Sequence, residues 1–210
     1  MKILVGLSGG VDSAVSAYLL KEAGYDVHAG FMVNFQSDGD GCTTKADLEE
    51  AERVAKYLGI PLSTFDFVAE YEERIIRKIY EGYESGITPN PDVLCNNLVK
   101  FDLFLEEALS YGFDAIATGH YARIDRSGEI PRLLKGIDPE KDQTYFLSRL
   151  DRHQIEKAYF PVGDIRKSQV REIARKAGLP NAERKDSQGL CFIGKIPMRE
   201  FLRERLPERT

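Results

Sequence analysis

One heptapeptide, Leu7-Ser8-Gly9-Gly10-Val11-Asp12-Ser13, restricts the folds open to this chain more than any other feature. The apolar run Lys2–Leu7 precedes it, and a helical pattern over Asp12–Ala23, closed by Gly24, follows it. Strand, glycine turn and helix in that order open a parallel α/β unit. Two adjacent glycines let backbone approach an anion closely, and the N–H groups that begin the helix turn their positive end toward it. Ser8 and Ser13 add hydroxyl donors. Asp12 is the unexpected member, because a carboxylate beside phosphates repels them unless a Mg²⁺ ion bridges the two. No Gly-Lys-Ser/Thr follows, so the loop is not of the Walker type. A bare Gly-Gly would read as an ordinary turn; Ser-Gly-Gly-Val-Asp-Ser between strand and helix is far more specific.

The pattern continues as a doubly wound sheet would. Asp26–Val33 and Leu62–Phe67 read as strands. Leu48, Ala51, Ala55 and Leu58 recur at helical spacing before the stop at Gly59. Tyr71–Tyr83 carries a further helical pattern, and so do Phe101, Phe104, Leu105 and Ala108, ahead of a strand at Asp114–Thr118. After His120 the pattern changes: Tyr121–Asp125 and Pro131–Lys135 flank Ser127-Gly128 as a hairpin. A helix with Val170, Ile173, Ala174 and Ala177 on one face ends at Gly178. Ser85–Asn96, with Pro89 and Pro91, and Gln36–Thr43 read as long loops of the kind that carry function. The expectation is a Rossmann-like α/β fold with helices on both faces. Residues 1–120 would form its core and residues 121–205 a hairpin and helical extension.

Charge divides along the same line. Residues 1–120 carry 9 Lys and Arg against 20 Asp and Glu, while the remainder carries 20 against 14. The acidic total argues against a generic nucleic-acid coat, yet a basic second half can line a phosphate backbone. Differently solvated surfaces explain the split equally well. No apolar run reaches the ~20 residues that cross a bilayer, and the first residues lack a signal-peptide pattern. Three scattered cysteines, Cys42, Cys95 and Cys191, do not make a disulfide scaffold. The expected setting is cytoplasmic, with no membrane partner.

Two of those thiols lie in suggestive surroundings. Cys95 ends Thr88-Pro89-Asn90-Pro91-Asp92-Val93-Leu94-Cys95, just before a helical pattern, where a helix N-terminus favours thiolate. Asp92, three residues earlier, is placed for acid–base work but its charge opposes the thiolate, and sequence leaves that sum open. Cys191 sits in Asp186-Ser187-Gln188-Gly189-Leu190-Cys191-Phe192-Ile193-Gly194. Singly, each reads as a structural thiol. As a pair beside a nucleotide loop they point to sulfur chemistry or to metal ligation.

The loop resembles that of the ATP pyrophosphatases, which adenylate an oxygen of their substrate and release pyrophosphate. The wider set of motifs resembles the tRNA-specific 2-thiouridylases. It comprises Gly6–Ser13, Gly30-Phe31-Met32, Cys42-Thr43 with Asp47-Leu48, Thr88–Asn96, Thr118-Gly119-His120-Tyr121, the run Lys141 to Leu147, and Asp186–Gly194, in that family's order. The resemblance implies that Gly6, Leu7, Ser8, Gly9, Gly10, Val11, Asp12 and Ser13, with Met32 and Gly119, hold ATP with Mg²⁺. It implies that Asn90, Pro91 and Asp92 meet the target base, with Asp92 the acid–base candidate. Cys95 would be the nucleophile and Cys191 the carrier of a persulfide. His120, Lys141, Asp142 and Gln143 would touch tRNA. From the residues alone, His120 reads as a satisfied histidine, the 141–143 run as a solvated turn, and Tyr145 and Phe146 as core rather than base-stacking platforms.

The same resemblance implies lysine, glutamate and glutamine tRNAs as substrates, and a sulfur relay that begins at a cysteine desulfurase. Family members are longer than this sequence, so β-rich domains that help grip tRNA are expected to be absent from it and tRNA affinity to be weakened. An alternative route to sulfur uses Cys42, Cys95 and Cys191 as ligands of a [4Fe-4S] cluster with one open iron; zinc fits poorly without a CxxC pair. An amidotransferase-type ATP pyrophosphatase would not need the paired thiols. A nucleotide-binding module without catalysis would not release pyrophosphate.

Overall fold

The computed structural model describes residues 1–35, 44–186, 198–203 and 205–206. Cys42 and Cys191, and with them all of the Gln36–Thr43 loop and residues 187–194 of the Cys191 segment, lie outside the described residues. Five parallel strands form the central sheet: β1 (Lys2–Gly6), β2 (Asp26–Val33), β3 (Leu62–Asp66), β4 (Ala115–Ala117) and β7 (Ala158–Tyr159), in the order β3-β2-β1-β4-β7. Strands β5 (Ala122–Asp125) and β6 (Arg132–Lys135) pair antiparallel as the expected hairpin. The fifth strand of the sheet comes from beyond residue 120. It is two residues long, too short to leave a periodic signal in sequence.

Side-chain alternation along the strands builds two cores, as a sheet covered on both faces requires. Ile3, Val5 and Leu7 face one layer with Val27, Ala29, Phe31 and Val33. Against them pack helix α1 (Val11–Glu22), helix α2 (Thr44–Leu58) and the helix Lys167–Lys176. Leu4 and Met32 face the other layer, among Phe65, Phe101, Phe104 and Ile116. That layer is covered by two long helical runs, 68–84 and 91–110, each holding a π-helical segment, at Glu72–Ile76 and Asn96–Leu103. Gly30 lies under the ring of Phe104: a Cβ there would stand 2.7 Å from it. The glycine is thus a packing requirement of the second core.

Helix ends follow the sequence reading. Gly24, Gly59 and Gly178 all take positive φ, and Tyr25, Ile60 and Leu179 donate back to Leu20, Ala55 and Ala174, the Schellman closure. The long loop expected over Ser85–Asn96 is shorter than predicted, because a helix starts at Pro91. Asn90 accepts from the Asp92 and Val93 N–H groups at 3.0 and 3.1 Å, with Pro91 in the first helical position. Asparagine cap and proline start outweigh the loop-forming look of the two prolines.

Candidate active site

The strand order reverses between β1 and β4, so the crevice at their carboxyl ends is where an open α/β sheet binds its ligand. The loops that follow these two strands are Leu7–Gly10 and Thr118–Tyr121, both singled out by sequence. They touch closely: a Cβ on Gly119 would lie 2.7 Å from the Ser13 nitrogen and 2.8 Å from the Asp12 carbonyl carbon. Gly9 has φ +76°, and its missing Cβ would lie 2.6 Å from the Asp47 carbonyl oxygen. Only glycine satisfies both the dihedral and the space. No side chain caps α1, which leaves its first N–H groups for an anion, as an ATP phosphate site requires. Ser13 Oγ donates to the Gly10 carbonyl at 3.0 Å and accepts from the Ser8 N–H at 3.2 Å, while the two seryl oxygens stand 3.2 Å apart. Met32, buried, lies across Gly6 on the opposite face of the sheet, with its Cε 3.4 Å from where a Gly6 Cβ would be.

Asp12 does not wait for a metal in this structure. Lys167 Nζ donates to both its oxygens, at 2.8 and 2.9 Å, and the Tyr121 hydroxyl donates at 2.7 Å. Lys167 is only 13% exposed and also pairs with Asp186 at 2.7 Å. Asp186 further accepts from Lys141 and Arg171. Burial alone would raise the Asp186 carboxyl, but hydrogen bonds from Lys167 and Lys141, with their charges, outweigh it and hold it at about 2. Burial, followed by the charge of Asp12, raises the Tyr121 phenol far above its usual value, so it stays a donor. Mg²⁺ seeks oxygen ligands, and the loop's one carboxylate is shared here with Lys167 and Tyr121.

Sequence reasoning missed Lys167, which lies 155 positions from Asp12 and has no motif around it. Its place is fixed by Asp138, which accepts from the Lys167 N–H at 2.8 Å. Asn181 and Arg184 were missed in the same way: both donate to the Gly9 carbonyl, at 2.8 and 3.1 Å, and Arg184 pairs with Asp47. They clamp the glycine loop from the second half of the chain.

The thiol helix forms a second cluster. Asp92 and Cys95 are three residues apart on Pro91–Cys95 and so share a face; Cys95 is fully buried and Asp92 half-buried. Asn96 Nδ2 donates to the Asp92 carbonyl at 2.9 Å. The 3₁₀ turn Thr144–Leu147 packs against this helix. Gln143 joins that turn to the nucleotide crevice: its Oε1 accepts from the Tyr121 N–H at 3.1 Å and its N–H donates to the Tyr121 carbonyl at 3.0 Å. Tyr121 therefore holds the phosphate loop through its hydroxyl and the turn beside the thiol helix through its backbone.

The remaining predicted residues have structural partners. His120 is buried, bonded through Nδ1 to Thr118 Oγ1 at 2.7 Å and flanked by Phe101 and Phe160. Burial, then the charge of Lys100, lowers it well below its usual value. Asp142 accepts from Gly136 and Thr144. Lys141 is bound to Asp186. Tyr145 departs from the core reading: it is 57% exposed, because Leu147 takes the buried position of the turn. Among the described residues no group of three His, Cys, Asp or Glu side chains is arranged to hold a metal, and two of the three suggested cluster ligands lie outside them. No helix of the described residues is long and apolar enough to cross a membrane.

A tRNA-specific 2-thiouridylase MnmA of Burkholderia multivorans is 51% identical over 211 residues, covering 99% of this chain and 55% of that protein. The Paracidovorax citrulli protein of the same name is 51% identical over 205 residues, with 96% and 54% covered. The chain thus spans about half the length of these relatives. In fold it is similar to a 4-thiouridine synthetase solved as an RNA complex with bound ATP, at a TM-score of 0.58 and 16% identity over 97% of this chain and 50% of that one. The family model for the tRNA methyl transferase HUP domain matches residues 1–195, a span that takes in the glycine loop, the thiol helix and the Asp186 network, and the chain belongs to that family.

Proposed function

We propose that this chain is the ATP-using catalytic portion of a tRNA-uridine 2-sulfurtransferase, with residues 1–205 acting as one unit. The observation that carries the reading is the 51% identity to the 2-thiouridylases over 99% of the chain. The close approach of Gly119 to the Asp12–Ser13 backbone, and an α1 N-terminus that no side chain caps, support ATP there. Uridine is a poor electrophile at its 2-carbonyl, and adenylating that oxygen turns it into a leaving group as AMP, with pyrophosphate released. The α1 N-terminus and the loop N–H groups stabilise charge gathering on the phosphates. Asp92, half-buried on the thiol helix, is the candidate to move a proton at the base. In the persulfide route, sulfur carried on Cys191 attacks the activated carbon. Cys95 then attacks the inner sulfur, which frees the outer one and leaves a Cys95–Cys191 disulfide for a thiol reductant to reopen. The finer parts of the reading are Mg²⁺ at the phosphates, tRNAs for lysine, glutamate and glutamine, a persulfide relay from a cysteine desulfurase, and a cytoplasmic setting.

The test is anaerobic incubation with ATP, Mg²⁺, a cysteine desulfurase with L-cysteine as the persulfide donor, a thiol reductant and unmodified glutamate tRNA, followed by mass spectrometry of nucleosides. The expected product is 2-thiouridine from the wild type and none from Cys95→Ser or Cys191→Ser. Thiolation that survives both substitutions would overturn the thiol roles. ATP binding without thiolation would overturn the assignment of activity to this length of chain. Iron measured in the same preparation separates the cluster route from the persulfide route.

A further inference from the structure

An exposed aromatic ring stands beside the thiol helix. Tyr145 is 57% exposed, and its hydroxyl has no hydrogen-bond partner among the described residues. The other two tyrosines with comparable exposure are accounted for: the Tyr57 hydroxyl donates to the Ala177 carbonyl at 2.8 Å, and Tyr111 packs edge-on against Phe65.

The turn that carries Tyr145 is built to hold it rigidly. Leu147, 1% exposed, sinks into the second core. Asp142 Oδ1 accepts from the Thr144 hydroxyl at 2.5 Å, the Thr144 N–H at 3.3 Å and the Gly136 N–H at 3.1 Å. Gln143 is clasped twice to Tyr121. Phe146, half-buried, lies with its ring centre 3.9 Å from that of Tyr145 and supports it from within the turn. Burial, and then the neighbouring charges of Asp92 and Asp142, raise the Tyr145 phenol above its usual value. It remains an uncharged ring at neutral pH, and Asp92 is near enough to be felt. Asp142 and Gln143 thereby act as positioning residues for a surface aromatic.

We propose that Tyr145 is a stacking platform for the nucleobase presented to Asp92, an inference that rests on the RNA reading above. A base that undergoes chemistry must leave its stack, and RNA loops are commonly held by stacking splayed bases on aromatic side chains. A preformed ring beside the thiol helix replaces the stacking the base has lost. Stacking demands a π face and no particular base edge. Tyr145→Phe should therefore preserve it and Tyr145→Ala should not.

The experiment uses an RNA hairpin with the anticodon-arm sequence of glutamate tRNA and 5-iodouridine at the wobble position. It is irradiated on the whole chain, and the adducts are mapped by mass spectrometry alongside hairpin affinity. The expected adduct is on Tyr145, with Tyr145→Phe close to wild type. Tyr145→Ala should lose the adduct and bind the hairpin roughly 5- to 150-fold more weakly. Tyr111→Ala, at the far end of residues 91–110, serves as the unaffected control. Wild-type binding with adducts elsewhere, or unchanged binding by Tyr145→Ala, would overturn the platform and leave the RNA reading standing. No hairpin binding by the wild type would overturn the RNA reading, and the platform with it.

Discussion

Replacing Lys167 with methionine keeps the stem of the side chain and removes the charge that joins Asp12 to Asp186. Lys167 makes three short contacts, at 2.8 and 2.9 Å to Asp12 and 2.7 Å to Asp186, and is itself nearly buried. Fully exposed ion pairs contribute at most about 1 kcal/mol, and breaking a buried one costs about 3–5. The carboxylates here are 29% and 37% exposed, and both keep other donors: Tyr121 on Asp12, and Lys141 and Arg171 on Asp186. The loss therefore falls between those limits, at about 2 kcal/mol, or a fall of about 1 M in the urea midpoint with a slope of about 2 kcal/mol/M. The effect must also depend on pH. Asp186 is held at about 2 in the folded protein, below its unfolded value near 4, so its contribution is full above pH ~4 and disappears as pH falls toward 2. After allowance for its partial exposure, that contribution is about 1 kcal/mol. Urea unfolding of wild type and Lys167→Met at pH 7 and pH 2.5 should show a gap that narrows at the lower pH. Equal gaps at both values, or none at pH 7, would refute the ion-network argument and leave Lys167 a packing residue.

Further outcomes follow from the same structure. Gly9→Ala places a Cβ against the Asp47 carbonyl at φ +76° and should lower Tm by about 4–8 °C and abolish ATP binding in calorimetry. Gly119→Ala, which forces apart the Asp12–Ser13 backbone, should weaken ATP binding with a smaller loss of Tm. Asn90→Ala removes the cap of the thiol helix and should cost about 1 kcal/mol in urea unfolding. His120 is held well below its usual value by burial first. The unfolded chain therefore takes up the proton first, and stability should fall as pH drops below about 6.5, at up to about 1.4 kcal/mol per unit. His120→Gln should flatten that slope, measured by urea unfolding between pH 7 and 5.

Much of this was legible in the sequence because it is local. The run Lys2–Leu7, the glycine loop and the stops at Gly24, Gly59 and Gly178 each declare themselves within a few residues, and the structure places them as read. The hairpin around Ser127-Gly128 was legible for the same reason. What was not legible depends on contacts far apart in the chain. Lys167 reaches Asp12, and Asn181 and Arg184 reach Gly9, across more than 150 positions, and single residues at that separation leave no periodic mark. Strand β7 is too short to read. Tyr145 was assigned to the core by its residue type, whereas Leu147 takes the buried place because a 3₁₀ turn points successive side chains in different directions. The sequence resemblance located the thiol helix; its start at Pro91 required the Asn90 cap to be weighed above the two prolines.

The central claim is that ATP held by Gly6–Ser13 is cleaved between its α- and β-phosphates in order to activate an RNA base. ATP labelled in its α-phosphate, incubated with the chain, Mg²⁺, unmodified glutamate tRNA and a cysteine desulfurase with L-cysteine and a thiol reductant to supply the sulfur that displaces AMP, tests it most directly. The account predicts AMP and pyrophosphate, formed only when the RNA is present and lost in Gly9→Ala. ADP with inorganic phosphate, or turnover indifferent to RNA, would contradict it.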